Sequence, residues 1–472
     1  MPRTPFLLAG LALAACSAPV ETPTVDDQPP DFDSELALVE AEDLNPDPGI
    51  VEVALEARVA NLEVRPGTTT DVWTYNGGLP GPLIHAKVGD TLEVHFQNNL
   101  PEATTIHWHG MRVPVEMDGV PEISQTVVPP GGTFDYSFTV PDAGLYWYHP
   151  HHHSAAQVGY GLYGAILVDE PTEPPPGDPL VLVLSDMGVT EDGSLSPTTA
   201  GGEVGTLFGR EGDVLLVNGK QRPTLHARSG KLQRWRLVNT AKSRYFQLAM
   251  EGHSFRRIGT DGGLSEYGVD LERIVLAPAE RLDVLVVPTG TAGKPLDVRW
   301  VPFDRGYGST EYRPEETLFS IDFADEPASV VETPPPTSNT VPPLDLTGAT
   351  LVDLELTQEF DENGKLILGI NGLPTELAEP LHGTVGETQI WTVSTQMEWS
   401  HPFHLHGFFF QVLGDDGLPQ HPLEWKDTVD VPFHGQTRLA VKYEGRAGMW
   451  MFHCHILDHA EAGMMGHLHL ME

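Results

Sequence analysis

The chain has 472 residues, enough for two or three domains, and its 67 acidic against 27 basic side chains give a formal charge of −40. That balance argues against a nucleic-acid partner, whose phosphates want a basic face; an acidic surface kept for solubility explains it more simply than attraction of cationic substrates. Forty-eight glycines, forty-two prolines and few long amphipathic periodicities favour an all-β chain.

In chain order, residues 1–16 read as a lipoprotein-type signal peptide: one positive side chain, then a short apolar run. Leu13-Ala14-Ala15-Cys16 resembles the bacterial lipobox, in which the cysteine is lipidated. The alternative is ordinary cleavage after Ala14, with Cys16 incidental. A lipid on Cys16 places the protein in the cell envelope, periplasm or outer membrane, with membrane contact only through the anchor. No other stretch is long and apolar enough to cross a bilayer. Residues 17–49 are acidic and proline-rich and read as a flexible tether.

A turn-and-strand pattern then recurs three times. Asn76-Gly77, Asn218-Gly219 and Asn371-Gly372 are each followed by prolines, a glycine turn and an alternating strand. The spacing suits one small domain apiece: residues 50–172, 178–325 and 345–472. Proline-rich stretches at 170–177 and 325–344 act as semi-rigid spacers between them.

Twenty-one histidines placed at random would give roughly one His-x-His in the whole chain. There are six, one of them overlapping. His107-Trp108-His109 and His149-Pro150-His151 lie in the first domain; His401-Pro402-Phe403-His404-Leu405-His406 and His453-Cys454-His455 lie in the last. Two imidazoles spaced by two residues share one face of a strand. Cys454 therefore faces away from His453 and His455. With His459 from the following turn and a weak Met464, its thiolate makes most of a blue-copper site. The flanking histidines serve other metals behind the strand, so a one-electron collector is wired through one residue to a second centre. The middle domain carries no His-x-His and no cysteine and reads as a copper-free spacer. Both cysteines have assignments, so no disulfide is expected.

These four motifs, in this order, resemble those of the multicopper oxidases, the superfamily of laccases and cuprous oxidases. The resemblance spans nearly the whole mature chain and implies three tandem cupredoxin-like Greek-key β-barrels holding four coppers. It gives the type 1 copper His401, Cys454, His459 and, axially, Met464. The type 2 copper takes His107 and His404. One type 3 copper takes His109, His149 and His455, the other His151, His406 and His453. The cluster of three then lies between the first and last domains. The resemblance also implies that Asp118 assists proton delivery there; the plainer reading is an aspartate serving a turn before Gly119. Many bacterial relatives carry glutamate directly after the last type 1 histidine. This chain has Ala460, with Asp458 and Glu461 as the nearby carboxylates.

His151 with His153 is a formally possible ligand pair, although His149 with His151 matches the family register. His467 and His469 read as histidines at the surface or supporting the ligands from behind, rather than as an extra metal site. The expected reaction couples one-electron oxidation of a small phenol to four-electron reduction of O2 to water, in a monomer. A metallo-oxidase acting on Cu(I), Mn(II) or Fe(II) is the alternative, although the chain lacks a methionine-rich segment. A copper-sequestering lipoprotein is the non-enzymatic reading, and the Cys454 wiring counts against it.

Overall fold

The computed structural model describes residues 27–472 except 173, 311, 312 and 361. The expected signal peptide and Cys16 lie outside the described residues, as does the start of the tether. Among the described residues the strands form six sheets, two for each of three successive stretches of chain. The alternation that builds them is plain in Thr91–Asn98, where Leu92, Val94 and Phe96 are buried while Glu93, His95 and Gln97 point outward.

In the first stretch a four-stranded sheet, running Thr68–Tyr75, Ile50–Arg65, Thr91–Asn98 and Thr133–Thr139, shares one core with a second four-stranded sheet. That core takes Val53, Leu92 and Phe96 from one sheet, and Trp108, Tyr148 and Ile166 from the other. The middle stretch pairs a six-stranded with a five-stranded sheet around Trp235, Phe255 and Phe319. The last pairs two five-stranded sheets around Trp391, Phe403, Trp450 and Phe452. Among the described residues α-helix is confined to short segments at Ser154–Gly159, Gly202–Phe208 and Leu457–Glu461, with 3-10 turns at Val115–Met117 and Thr375–Leu377.

Two strand pairings position the histidines. His107–His109 lies antiparallel to Gly144–His149, setting His107 opposite His149. His401–Leu405 lies antiparallel to Gly448–Cys454, setting His404 opposite His453 and Phe403 opposite Cys454. A buried apolar seam draws the three stretches together. Leu145 and Trp147 of the first meet Val183, Val238 and Ala279 of the second and Leu457 of the last.

Candidate metal centres

The first centre lies inside the last barrel. His401 Nδ1 stands 3.5 Å from Cys454 Sγ, His459 Nδ1 stands 3.6 Å from it, and the two nitrogens are 3.2 Å apart. All three side chains are fully buried. Three N, N and S donors arranged trigonally around one ion, with bonds of about 2.0–2.3 Å, would stand roughly 3.5–3.7 Å apart. The two N–S edges meet that demand, and the N–N edge is slightly shorter. Burial pushes the Cys454 thiol far up and, helped by Arg305, pushes His459 down to about 3. A thiolate in this place therefore needs a cation beside it. Met464 is fully buried in the same core, and its carbonyl accepts the Cys454 N–H at 3.1 Å. Met465 begins the next strand, backbone-paired with His453.

His459 is held from outside. Its Nε2 donates to the Leu207 carbonyl at 3.0 Å, so the short helix Gly202–Phe208 of the middle barrel lies over its outer edge. Arg210, just beyond that helix, is clamped to Asp458 by a 2.5 Å ion pair and by a 2.8 Å bond from its own N–H. Asp458 thus fastens the cap. Glu461 accepts the Ala155 N–H at 2.8 Å, and burial raises its carboxyl.

Behind Cys454, at the junction of the first and last barrels, eight histidines converge. Candidate donor atoms fall within 4.8 Å of one another in three sets: His107, His109 and His404; His109, His149 and His455; His151, His406 and His453. His406 Nε2 and His453 Nε2 face each other at 3.2 Å. Nε2 of His107, His149, His404 and His455, and Nδ1 of His109, are buried without a hydrogen-bond partner. Burial, reinforced by neighbouring imidazoles, pushes His149, His406, His453 and His455 well below the ordinary histidine range. His151 is pushed down to about 3. The result is a buried pocket of imidazoles with unused lone pairs, which is what bound copper requires.

In most of the eight the opposite nitrogen is tied down, which orients the ring, whereas both nitrogens of His455 are without a partner among the described residues. His107 Nδ1 donates to the Asp118 carbonyl at 2.8 Å, and His406 Nδ1 to Asp118 Oδ2 at 2.8 Å. His404 Nδ1 donates to the Asp427 carbonyl at 2.9 Å, while His109 Nε2 lies 3.2 Å from Asp427 Oδ1. His453 Nδ1 donates to the Cys454 carbonyl at 2.9 Å. Burial alone would raise the Asp118 carboxyl, but His406 and His107 outweigh it and hold it well below the usual range. Gly119 makes the approach possible: at its φ of +78° a Cβ would overlap the Ile106 carbonyl.

Asp427 escaped the sequence reading, as did its partner. Arg281, fully buried, crosses from the middle barrel to pair with both Asp427 oxygens, the Nη1–Oδ1 bond measuring 2.8 Å. Burial works against the Asp427 carboxylate, yet Arg281 and the two histidines hold it well below its usual range. The middle barrel is therefore a strut for the eight-histidine pocket as well as a spacer. Nothing local marks either residue: Asp427 sits in Trp425-Lys426-Asp427-Thr428, away from every histidine motif. His152 and His153 stack on each other outside the pocket, with His153 exposed. His467 and His469 lie on the final strand, in none of these sets.

Residues 56–173, 180–294 and 344–470 each match a multicopper oxidase family. The chain is 31% identical to the multicopper oxidase MmcO of Mycobacterium tuberculosis, over 97% of this chain and 94% of that one. It is 27% identical to a laccase of Bacillus subtilis, over 84% and 89% of the two chains. Its fold superposes on a multicopper oxidase of Campylobacter jejuni described as a metallo-oxidase, with a TM-score of 0.79 and 28% identity, covering 92% and 94%. The chain belongs to the multicopper oxidase family. It is a copper-dependent oxidoreductase built of cupredoxin-like barrels.

Proposed function

We propose that the enzyme takes single electrons from small electron-rich phenols and delivers four of them, with four protons, to one O2, releasing two waters. The observation that carries this reading is the position of Cys454. Its side chain belongs to the three-donor pocket, while its backbone neighbours His453 and His455 belong to the eight-histidine pocket. A protein that only stored copper would have no need of that link.

His401, Cys454 and His459, with Met464 buried in the same core, would hold a type 1 copper. His107 and His404 would hold a type 2 copper, and His109, His149, His455 and His151, His406, His453 the type 3 pair. When bound, copper supplies one-electron transfer at the first pocket and O2 reduction at the second. The chain's own residues do the rest. Cys454 gives the shortest covalent route between the pockets. The His459–Leu207 contact offers the donor a path at the buried imidazole's edge, and outer-sphere transfer asks little more of it. Asp118, which is 2 % exposed and is bonded through Oδ2 to His406, is the carboxylate that relays protons toward the eight-histidine pocket.

A metallo-oxidase is the second reading. The helix covering His459 favours it, because a covered imidazole suits small ions better than bulky arenes. Side-by-side steady-state oxidation of a methoxyphenol and of Cu(I), with O2 uptake recorded, tests the pair. The phenol reading expects the higher kcat/KM for the phenol; a clear excess for Cu(I) overturns it. Export with a lipid on Cys16 belongs to the same proposal. Partition of protein made with its own leader into detergent, abolished by Cys16→Ala, is the expected result.

A further inference from the structure

A cavity of about 250 Å³ opens where the first and last barrels meet the segment at Pro342 and Leu344. Arg112, Phe408, Phe409, Trp425, Lys442 and Arg446 line it, and it shares no residue with either histidine pocket. Its size is at the small end for a ligand site, enough for a single substituted ring. Asp142 and Glu444 also line it, so three cations face two carboxylates, in a chain in which acids outnumber bases 67 to 27.

The carboxylates nearby are already engaged. Asp142 accepts two 2.6 Å bonds from Arg112. Glu444 lies 3.8 Å from Arg112 Nη1 and 3.5 Å from Lys442 Nζ. Arg446 alone of the three cations has no carboxylate within 4.0 Å among the described residues. Its Nη2 donates to the Gly407 carbonyl at 2.7 Å, and its Nε is buried without a partner. A guanidinium has five N–H groups, and a planar carboxylate can take them in pairs. Burial and the nearby Arg112 push the Arg446 pKa down to about 10, by more than Asp142 and Glu444 restore. The wall beside it is aromatic: the Arg446 guanidinium carbon lies 4.9 Å from the Phe408 ring centroid, and that of Arg112 lies 5.7 Å from Phe409.

We propose that this cavity binds a planar aromatic carboxylate of the benzoate class, its carboxylate on Arg446 and its ring against Phe408, Phe409 and Trp425. An inorganic anion would use the guanidinium but leave the aromatic wall without a role.

Isothermal titration of copper-loaded protein in low-chloride buffer tests this, with benzoate, acetate and benzyl alcohol as probes. The expected result is one saturable benzoate site per chain, with acetate and benzyl alcohol each at least tenfold weaker. Arg446→Gln keeps a donor for the Gly407 carbonyl and should weaken benzoate at least tenfold while the blue absorbance stays unchanged. Should that variant lose its colour and so report misfolding, Phe409→Leu gives the second measure: weaker benzoate, unaltered acetate. Absence of saturable benzoate binding overturns the proposal. So does acetate binding as well as benzoate, or benzoate affinity indifferent to both substitutions, as binding at the coppers themselves would give.

Discussion

The two histidine pockets lie on either side of one strand and are built in opposite ways. The three-donor pocket draws on a single barrel: His401 and Cys454 come from neighbouring strands, His459 from the turn that follows. The eight-histidine pocket exists only where two barrels meet, and a third steadies it through Arg281 and Asp427. A local site survives as long as its own barrel folds. A seam site also depends on how the barrels dock. The two pockets should therefore fail separately, and by different routes.

The strongest break is at the shared residue. Cys454→Ser should remove the intense blue band and abolish phenol oxidation, because a hydroxyl is a poor replacement for a soft thiolate. Copper bound per chain should fall by about one only, since every ligand of the seam pocket remains. Metal analysis and the visible spectrum check this together; near-complete loss of copper would mean the pockets are not separable. Asp118→Asn presses on the other side. It preserves size and an oxygen acceptor for His406 but removes a carboxylate that can carry a proton. Stopped-flow reduction of the blue centre by a phenol should proceed as in the wild type, while reoxidation by O2 slows by about 10²-fold. A mutant that stays blue throughout turnover would reduce Asp118 to an orienting role.

Asp427→Asn attacks the seam through its strut. It deprives a fully buried guanidinium of its closest countercharge, and breaking such a pair costs about 3–5 kcal/mol. It also loosens His109, while the backbone bond to His404 remains, and losing a carboxylate that orients a ligand costs about 10–100-fold in metal affinity. Under dialysis against a mild chelator, the variant should give up seam copper first while its blue band persists. Equal loss from both pockets would show that the strut supports the whole molecule rather than the seam.

The same contrast explains what could be read from the chain. Strands and turns are written locally, in alternations such as Leu92-Glu93-Val94 and in Asn-Gly turns, so the all-β class was legible. The candidate donors were legible because the His-x-His spacing suits one strand face, although only the pair of His107 and His109 lies wholly within a strand, and His151, His406 and His455 fall just past strand ends. Asp427 and Arg281 obey no such period: they are 146 residues apart and meet only by docking of barrels. The cap on His459 was hidden for a similar reason. Helix Gly202–Phe208 is a single short turn-rich segment, and its one telling contact is a backbone carbonyl, which no side chain announces.

The smallest expected effect is at Met464, and it sharpens the comparison from the local side. Met464 and Met465 are adjacent and chemically identical, so sequence spacing alone separates them weakly. The structure separates them by environment: Met464 is fully buried in the core with Cys454, while Met465 is partly exposed at the start of a strand. A weak axial thioether lends some electron density to Cu(II), so removing it should favour Cu(I). Met464→Leu, close in volume, should raise the reduction potential of the blue centre without bleaching it or changing the copper count. Met465→Leu should leave the potential where it was. Because the change is confined to one barrel, O2-driven reoxidation at the seam should alter only through the smaller driving force, in a redox titration paired with stopped-flow. If both substitutions left the potential unmoved, the axial position would belong to neither methionine, and the three-donor triangle would stand alone as the site.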